Sequence, residues 1–227
     1  MPKTRLLATV RLFFGVLTLA AVVTQIMRLQ DLGVYNPVNF FGYFTNLSNI
    51  LAAMVFLAGA YMFAAGHKMS AKYDAVRGAS ATGMVIVGVV YGILLSGEDL
   101  GGLLPWVNVV LHYIMPVAVL ADWLLFPPKT KLRAERLTDW LLFPVAYVTY
   151  TLVRGAHVGW YPYPFLNPSE VNGYLAVSMY CVVIAATFAA CGWLLIMYTR
   201  TPIATGLGTG HGHAPSQTKL KKARKRS

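Results

Sequence analysis

The fold class this chain predicts is all-α: a polytopic membrane protein of six transmembrane helices, with N-terminus and C-terminus both cytoplasmic. Three observations predict it. The 227 residues are 57% hydrophobic and 12% charged, with a mean hydropathy of +0.57, a profile of repeated apolar spans rather than one soluble core. Six stretches come near the roughly 20 apolar residues a helical span needs. The basic residues then fall on one side of the map those stretches draw.

The first span, about 6–28, follows Lys3 and Arg5 and contains Ala20-Ala21, features that admit a signal peptide. Its apolar run continues to Met27, so an uncleaved anchor is preferred, with Arg11 near the membrane edge. The second span, about 41–65, opens Phe40-Phe-Gly-Tyr-Phe-Thr-Asn-Leu-Ser-Asn-Ile50. The third, about 78–97, carries Gly83, Gly88 and Gly92, and the last two form a small-xxx-small pattern that predicts close helix packing. The fourth, about 102–121, starts at Pro105 and meets Pro116, which predicts a kink and a freed carbonyl. The fifth, about 138–154, is the least apolar. Only Trp140 to Val153 is uncharged and Pro144 lies inside it, so Thr138 and Asp139 belong at the interface. The sixth, about 172–198, holds Cys181 and Cys191. These lie roughly 15 Å apart on a helix, too far for a disulfide, and read as packing residues.

The N-terminus carries Lys3, Arg5 and Arg11; the 66–77 loop Lys68, Lys72 and Arg77; the 122–137 loop Lys129, Lys131, Arg133 and Arg136. Arg200, Lys219, Lys221, Lys222, Arg224, Lys225 and Arg226 follow the last span, placing 17 of the 19 basic residues on one side. The opposite loops share Arg28 and Arg154 beside Asp31, Glu98, Asp99 and Glu170. Residues 1–199 form the membrane domain. Residues 200–227 read as a Gly-rich, disordered, basic cytoplasmic tail, attracted to anionic lipid head groups. The net charge of +11 therefore reports topology and implies no nucleic-acid partner. His211 and His213 in that tail make no convincing metal site, and no metal or cofactor is expected. Asn46-Leu47-Ser48 matches a glycosylation sequon, but inside a span, and Asn167-Pro168-Ser169 is blocked by its proline.

Within the spans, His112 sits near the middle of the uncharged run from Leu100 to Ala121. A titratable side chain in hydrocarbon is expected to face the protein interior and to have a partner or a task. Asn108 stands one turn before it. In the second span Thr45, Ser48 and Asn49 share a helical face, with Asn46 about 100° round. That face is either interhelical hydrogen-bond glue or part of a site, and spacing leaves both open. Counted from the outer ends, His112 lies about 12–15 Å deep and Thr45 about 6–12 Å deep, so the two spans can meet in the outer half of the membrane. The loop after the fifth span, Arg154-Gly-Ala-His157-Val-Gly-Trp160-Tyr-Pro-Tyr163-Pro-Phe-Leu166, is either an interfacial aromatic belt or a lid over an outward-opening cavity. In the second case Arg154 and His157 sit at the rim, where Arg154 can receive a carboxylate.

Three pieces, in order, carry a resemblance: Tyr43-Phe-Thr-Asn-Leu47, Asn108-x-x-x-His112 with Pro116, and His157-Val-x-Gly followed by Tyr163-Pro-Phe-Leu166. They resemble the androgen-induced-protein family of six-span intramembrane threonine hydrolases and its bacterial branch, over residues 5–199 or so. The basic tail and Arg154-Gly-Ala before His157 depart from that family's pattern. The resemblance implies cytoplasmic termini and hydrolysis of fatty-acid esters of hydroxy fatty acids or similar lipid esters, while the Gly-rich basic tail suggests a bacterial plasma (inner) membrane. It assigns the nucleophile to Thr45 and the partner histidine to His112.

The chemistry is coherent. A Thr hydroxyl becomes a nucleophile when a base takes its proton, and a neutral imidazole is a fitting base. Asn46, Asn49 and Asn108 are the candidate oxyanion donors. Ser48, Arg154, His157 and Tyr163 complete the polar set available to bind substrate. No acid stands near His112: Asp122 lies ten residues on, roughly 15 Å along a helix. GxSxG and HExxH motifs are absent. The competing reading is a non-catalytic membrane protein that binds or moves a lipid or small amphiphile, although the two halves show no internal repeat. Haem ligation is a distant third, since only one histidine is central.

Overall fold

Hydrocarbon offers the backbone no hydrogen-bond partner, so an apolar span has to bond its own N–H and C=O groups. In the computed structural model, which describes residues 2–98, 102–128 and 131–209, every regular element is helical. They are α1 (Pro2–Asp31), α2 (Pro37–Phe40), α3 (Phe44–Ala64), α4 (Ala71–Val90), α5 (Pro105–Val109), α6 (Met115–Leu125), α7 (Arg136–Val158), α8 (Tyr174–Tyr198) and α9 (Pro202–Thr209). Two π-helical turns extend them: Tyr91–Leu95 continues α4, and Val110–Ile114 joins α5 to α6.

Among the described residues, five helical segments are long and apolar enough to cross a bilayer: Arg5–Asp31, Phe44–Ala64, Ala71–Leu95, Pro105–Leu125 and Tyr174–Tyr198. The expected fifth span corresponds to α7. Its 23 residues are long enough, but Arg136, Asp139, Arg154 and His157 lie within it, so it falls short on composition. The expected tail begins as a helix, α9, rather than as disordered chain. Its remainder, with His211, His213 and the basic residues from Lys219 on, lies outside the described residues, as do Asp99 and Lys129.

The α1 helix packs along α3; α4 packs against α3, α6 and α8; α7 packs against α8. A Cβ at Gly88 would sit 3.1 Å from Pro116, so this glycine lets α4 approach α6 closely, as its spacing predicted. Gly92 meets nothing within 4 Å and makes no such contact. On α8, Leu175, Val182, Val183 and Leu194 are exposed, as side chains facing lipid are expected to be.

The third and fourth spans differ from expectation at their ends. Helix α4 starts at Ala71 rather than near 78, and α6 runs to Leu125 rather than 121. Arg77 and Asp122, placed in loops by the expected bounds, are therefore helical, and they are buried together with Asp74 and with Arg11, the last only 1% exposed. The physical reason is pairing. Arg11 donates from Nε and Nη2 to both Asp122 oxygens, at 2.7 and 3.0 Å. Arg77 Nε lies 3.2 Å from Asp122 Oδ2, close enough for ionic attraction but misaligned for a hydrogen bond, and its Nη1 reaches Asp74 at 3.5 Å. Tyr73 Oη accepts from Arg11 at 3.4 Å and donates to the Val55 carbonyl at 3.0 Å. Arg11 also stacks over Phe63 and Arg77 over Trp123. Two arginines and two aspartates thus cancel, and the cluster ties α1, α4 and α6 together.

Candidate functional site

Helix α3 begins at Phe44, after the extended Tyr43, so Thr45 lies in its first turn, where backbone N–H groups have no helical partner. The Thr45 N–H donates to Tyr163 Oη at 3.2 Å, and Thr45 Oγ1 lies 3.4 Å from the same hydroxyl. Tyr163 reaches that depth because the loop after α7 folds back into the bundle. Gly159 turns the chain at φ 67°, a conformation that favours glycine. Gly155 leaves room for the Tyr161 ring, which a Cβ there would overlap. Tyr163 then stacks on Phe165, with ring centroids 5.1 Å apart and planes 6° from parallel. Burial pushes the Tyr163 phenol above its ordinary value, partly opposed by its bonds to Thr45. It therefore stays protonated at neutral pH and keeps a hydrogen to donate.

His112 sits in the π-helical turn Val110–Ile114. Pro116 has no N–H to return to the His112 carbonyl, and the Met115 N–H bonds instead to the Val110 carbonyl. The sequence predicted a disturbance at Pro116; it takes the form of this widened turn, a feature often found at functional sites. His112 Nδ1 lies 2.6 Å from Asn108 Oδ1 and 3.3 Å from the Asn108 backbone oxygen. A carbonyl oxygen can only accept, so the proton sits on Nδ1 and Nε2 keeps its lone pair. Asn108 is itself fixed: its Nδ2 donates to Tyr91 Oη at 2.7 Å. The Tyr91 ring stacks on the imidazole at 4.0 Å. As an amide donor, Asn108 is an oxyanion candidate in the sequence. The i, i+4 spacing of Asn108 and His112 was the available signal for their contact, whereas nothing in the sequence pointed to Tyr91.

Thr45 and His112 line one cavity of about 280 Å³, together with Asn46 and Tyr163 and with Gln25 of α1. Among the described residues no hydrogen bond joins Thr45 to His112, and His112 Nε2 has no hydrogen-bond partner. Asn46 donates to the Phe40 carbonyl at 2.7 Å, which leaves one of its two amide hydrogens for the cavity. Asn49 commits both, to the Thr45 and Leu111 carbonyls at 3.0 and 3.1 Å, and so clamps α3 to the turn that holds His112. Ser48 is buried and faces α4: a Cβ at Gly83 would lie 3.6 Å from its Oγ. The polar face of span 2 thus divides, with Thr45 and Asn46 on the cavity and Ser48 and Asn49 between helices.

The loop contributes Trp160 and Tyr163 to the lining of this cavity. Arg154 stacks on Trp160 at 5.0 Å and donates to Asn39 Oδ1 at 2.6 Å; Asn39 and Trp160 both line the cavity. His157 is exposed and does not join the cavity lining. Gln25 donates to the Gly102 carbonyl at 3.2 Å and accepts from the Leu104 N–H at 3.1 Å, fixing the entry to α5. No family model, curated protein or solved structure matches the chain.

Proposed function

We propose that this chain is an integral membrane hydrolase of lipid esters, with Thr45 as nucleophile and His112 as general base. The observation that carries the reading is that both side chains border one cavity, with the imidazole turned by Asn108 so that Nε2 is the basic nitrogen. On substrate binding Thr45 Oγ1 exchanges its long contact with Tyr163 for one with His112 Nε2; catalytic hydrogen bonds often tighten only in the complex. His112 takes the hydroxyl proton as Thr45 Oγ bonds to the ester carbonyl carbon. The tetrahedral intermediate collapses, the C–O bond to the alcohol breaks, and the alcohol leaves with the proton from His112. Water then attacks the acyl-threonine, giving its proton to His112, and the acid departs as Thr45 regains its hydrogen. Asn46 Nδ2 and Tyr163 Oη supply donors for the oxyanion.

The same reading includes six spans, with α7 completing the bundle, cytoplasmic termini, a bacterial plasma membrane, and kinship with the androgen-induced-protein family. The one-sided distribution of basic residues supports the topology, and the three ordered motifs support the kinship. Purified protein is expected to cleave medium- or long-chain esters and to be labelled at Thr45 by a hydrolase-directed phosphonate. Thr45→Ala and His112→Ala should each lower turnover by at least about 10³-fold while the protein stays folded. Full turnover by Thr45→Ala would remove the nucleophile. No turnover and no labelling across a broad ester panel would favour a lipid- or amphiphile-binding protein instead.

A further inference from the structure

A second pocket, of about 110 Å³, adjoins the polar cavity between α4, α7 and α8. The two share Thr45, Leu95 and Tyr163, so Thr45 stands at their junction. Beyond it the walls are largely hydrocarbon, with Val87 and Val90 from α4, Val148 from α7, and Ile184 and Phe188 from α8. From Cys181 to Phe188 the α8 wall runs about 10 Å at 1.5 Å per residue. Val145 and Ala185 line the pocket and are exposed, so its mouth opens on the face of α7 and α8 that meets lipid in a bilayer. The polar cavity differs in kind, with Gln25, Asn36, Asn39 and Asn46 in its walls.

Building on the hydrolase reading, we infer that the apolar pocket holds the straight acyl chain of the ester and the polar cavity holds its alcohol portion, with the scissile carbonyl at Thr45. The substrate class is then an ester of an unbranched fatty acid with a polar alcohol. The chain enters sideways from the bilayer, and the alcohol leaves through the polar cavity, by which water for deacylation also arrives. Lipid tails are as apolar as these walls, so little is gained by moving a chain from bilayer to pocket. Discrimination is therefore steric, and Val148 and Ile184 set the length and width of chain admitted.

Two measurements on the purified full chain test this. In the first, acetyl, octanoyl and dodecanoyl esters of one alcohol are compared in wild type, Val148→Phe and Ile184→Phe. The ratio of dodecanoyl to acetyl kcat/KM should fall at least about tenfold in either variant, the order expected for filling a close-packed pocket by several carbon atoms. Val34→Phe, in the polar cavity, should leave that ratio unchanged and alter the dependence on the alcohol. In the second, a dodecanoic acid bearing a terminal diazirine is photo-crosslinked to wild type and to Thr45→Ala, which needs no turnover. Crosslinks on α7 and α8 peptides containing Val148 or Ile184 support the pocket, even in protein that cleaves no ester. Thr45-dependent hydrolysis with an unchanged chain-length ratio in both phenylalanine variants, or crosslinks confined to other helices, would overturn the inference while leaving the hydrolase standing.

Discussion

Around Asp122, two arginines and two aspartates are buried within contact distance of one another, with Tyr73 and two aromatic rings closing the cluster. Around His112, the buried groups are an imidazole, three carboxamides (Gln25, Asn46 and Asn49), a threonine and tyrosines, and several hydrogen-bonding atoms face a cavity. In the first region charge is abundant but committed. In the second, charge is scarce, yet His112 Nε2 and one Asn46 hydrogen are uncommitted. Under the proposed function, the difference means that charge buried inside a membrane protein does not by itself mark the site of chemistry. Capacity left over once internal bonds are counted is the better guide, because a reaction needs groups free to change partners.

The largest effect that sharpens this comparison lies at Asp122. Asp122→Ala leaves Arg11 and Arg77 buried without their shared counter-ion, a change worth about 3–5 kcal/mol of stability. The expected outcome is a large fall in folded yield and in unfolding temperature in detergent. Ester turnover per folded molecule should be unchanged, because Asp122 lies outside the Thr45 cavity. Loss of turnover in protein of wild-type stability would erase the division between the two regions.

A smaller effect is expected at Asn108, in the opposite sense. Asn108→Leu removes the acceptor that holds the Nδ1 proton and turns the ring, so kcat should fall by about 10²-fold with little change in KM or unfolding temperature. Fixing the tautomer of a catalytic histidine is worth up to about 10⁴-fold in a serine protease triad, and the stack on Tyr91 retains part of the orientation here. Asn108→Asp keeps an oxygen acceptor and should recover more of kcat than Asn108→Leu. Equal kcat in all three proteins would make the Asn108 contact merely structural.

These two regions were unequally legible in the sequence. The apolar runs, and the placement of Thr45 and His112 within them, follow from helical periodicity and span length. The contact between Asn108 and His112 was visible as an i, i+4 pair, but its role was not, since an amide can donate or accept and only the neighbouring Tyr91 hydroxyl and the backbone carbonyl at 3.3 Å orient it. The ion cluster was misread for a physical reason. Charge near a span end looks like loop, and its burial depends on partners 45 to 111 residues away in the chain, which no local pattern encodes. The fold of residues 155–166 into the bundle was equally hidden, although Gly155, Gly159 and the run of aromatics mark where it happens.

Gly59 offers the finest probe of the division. It lies in α3 beside the ion cluster, and a Cβ there would overlap Tyr73 Oη and come within 2.7 Å of Arg11 Nη1. Neither group can simply swing aside, because Tyr73 is held by the Val55 carbonyl and Arg11 by Asp122. Yet both contacts are at side-chain ends rather than backbone, so a small shift relieves most of the overlap. Gly59→Ala should therefore destabilise the protein toward the lower end of the about 1–3 kcal/mol typical of overpacking, read as a modest fall in unfolding temperature. Helix α3 also carries Thr45, so this substitution asks whether strain at the ion cluster travels along one helix to the cavity. Asn49 fastens the first turns of α3 to the Leu111 carbonyl, which should hold Thr45 in place. The expected kcat is within about twofold of wild type, and a tenfold loss would mean that the two regions, distinct in their chemistry, are mechanically one.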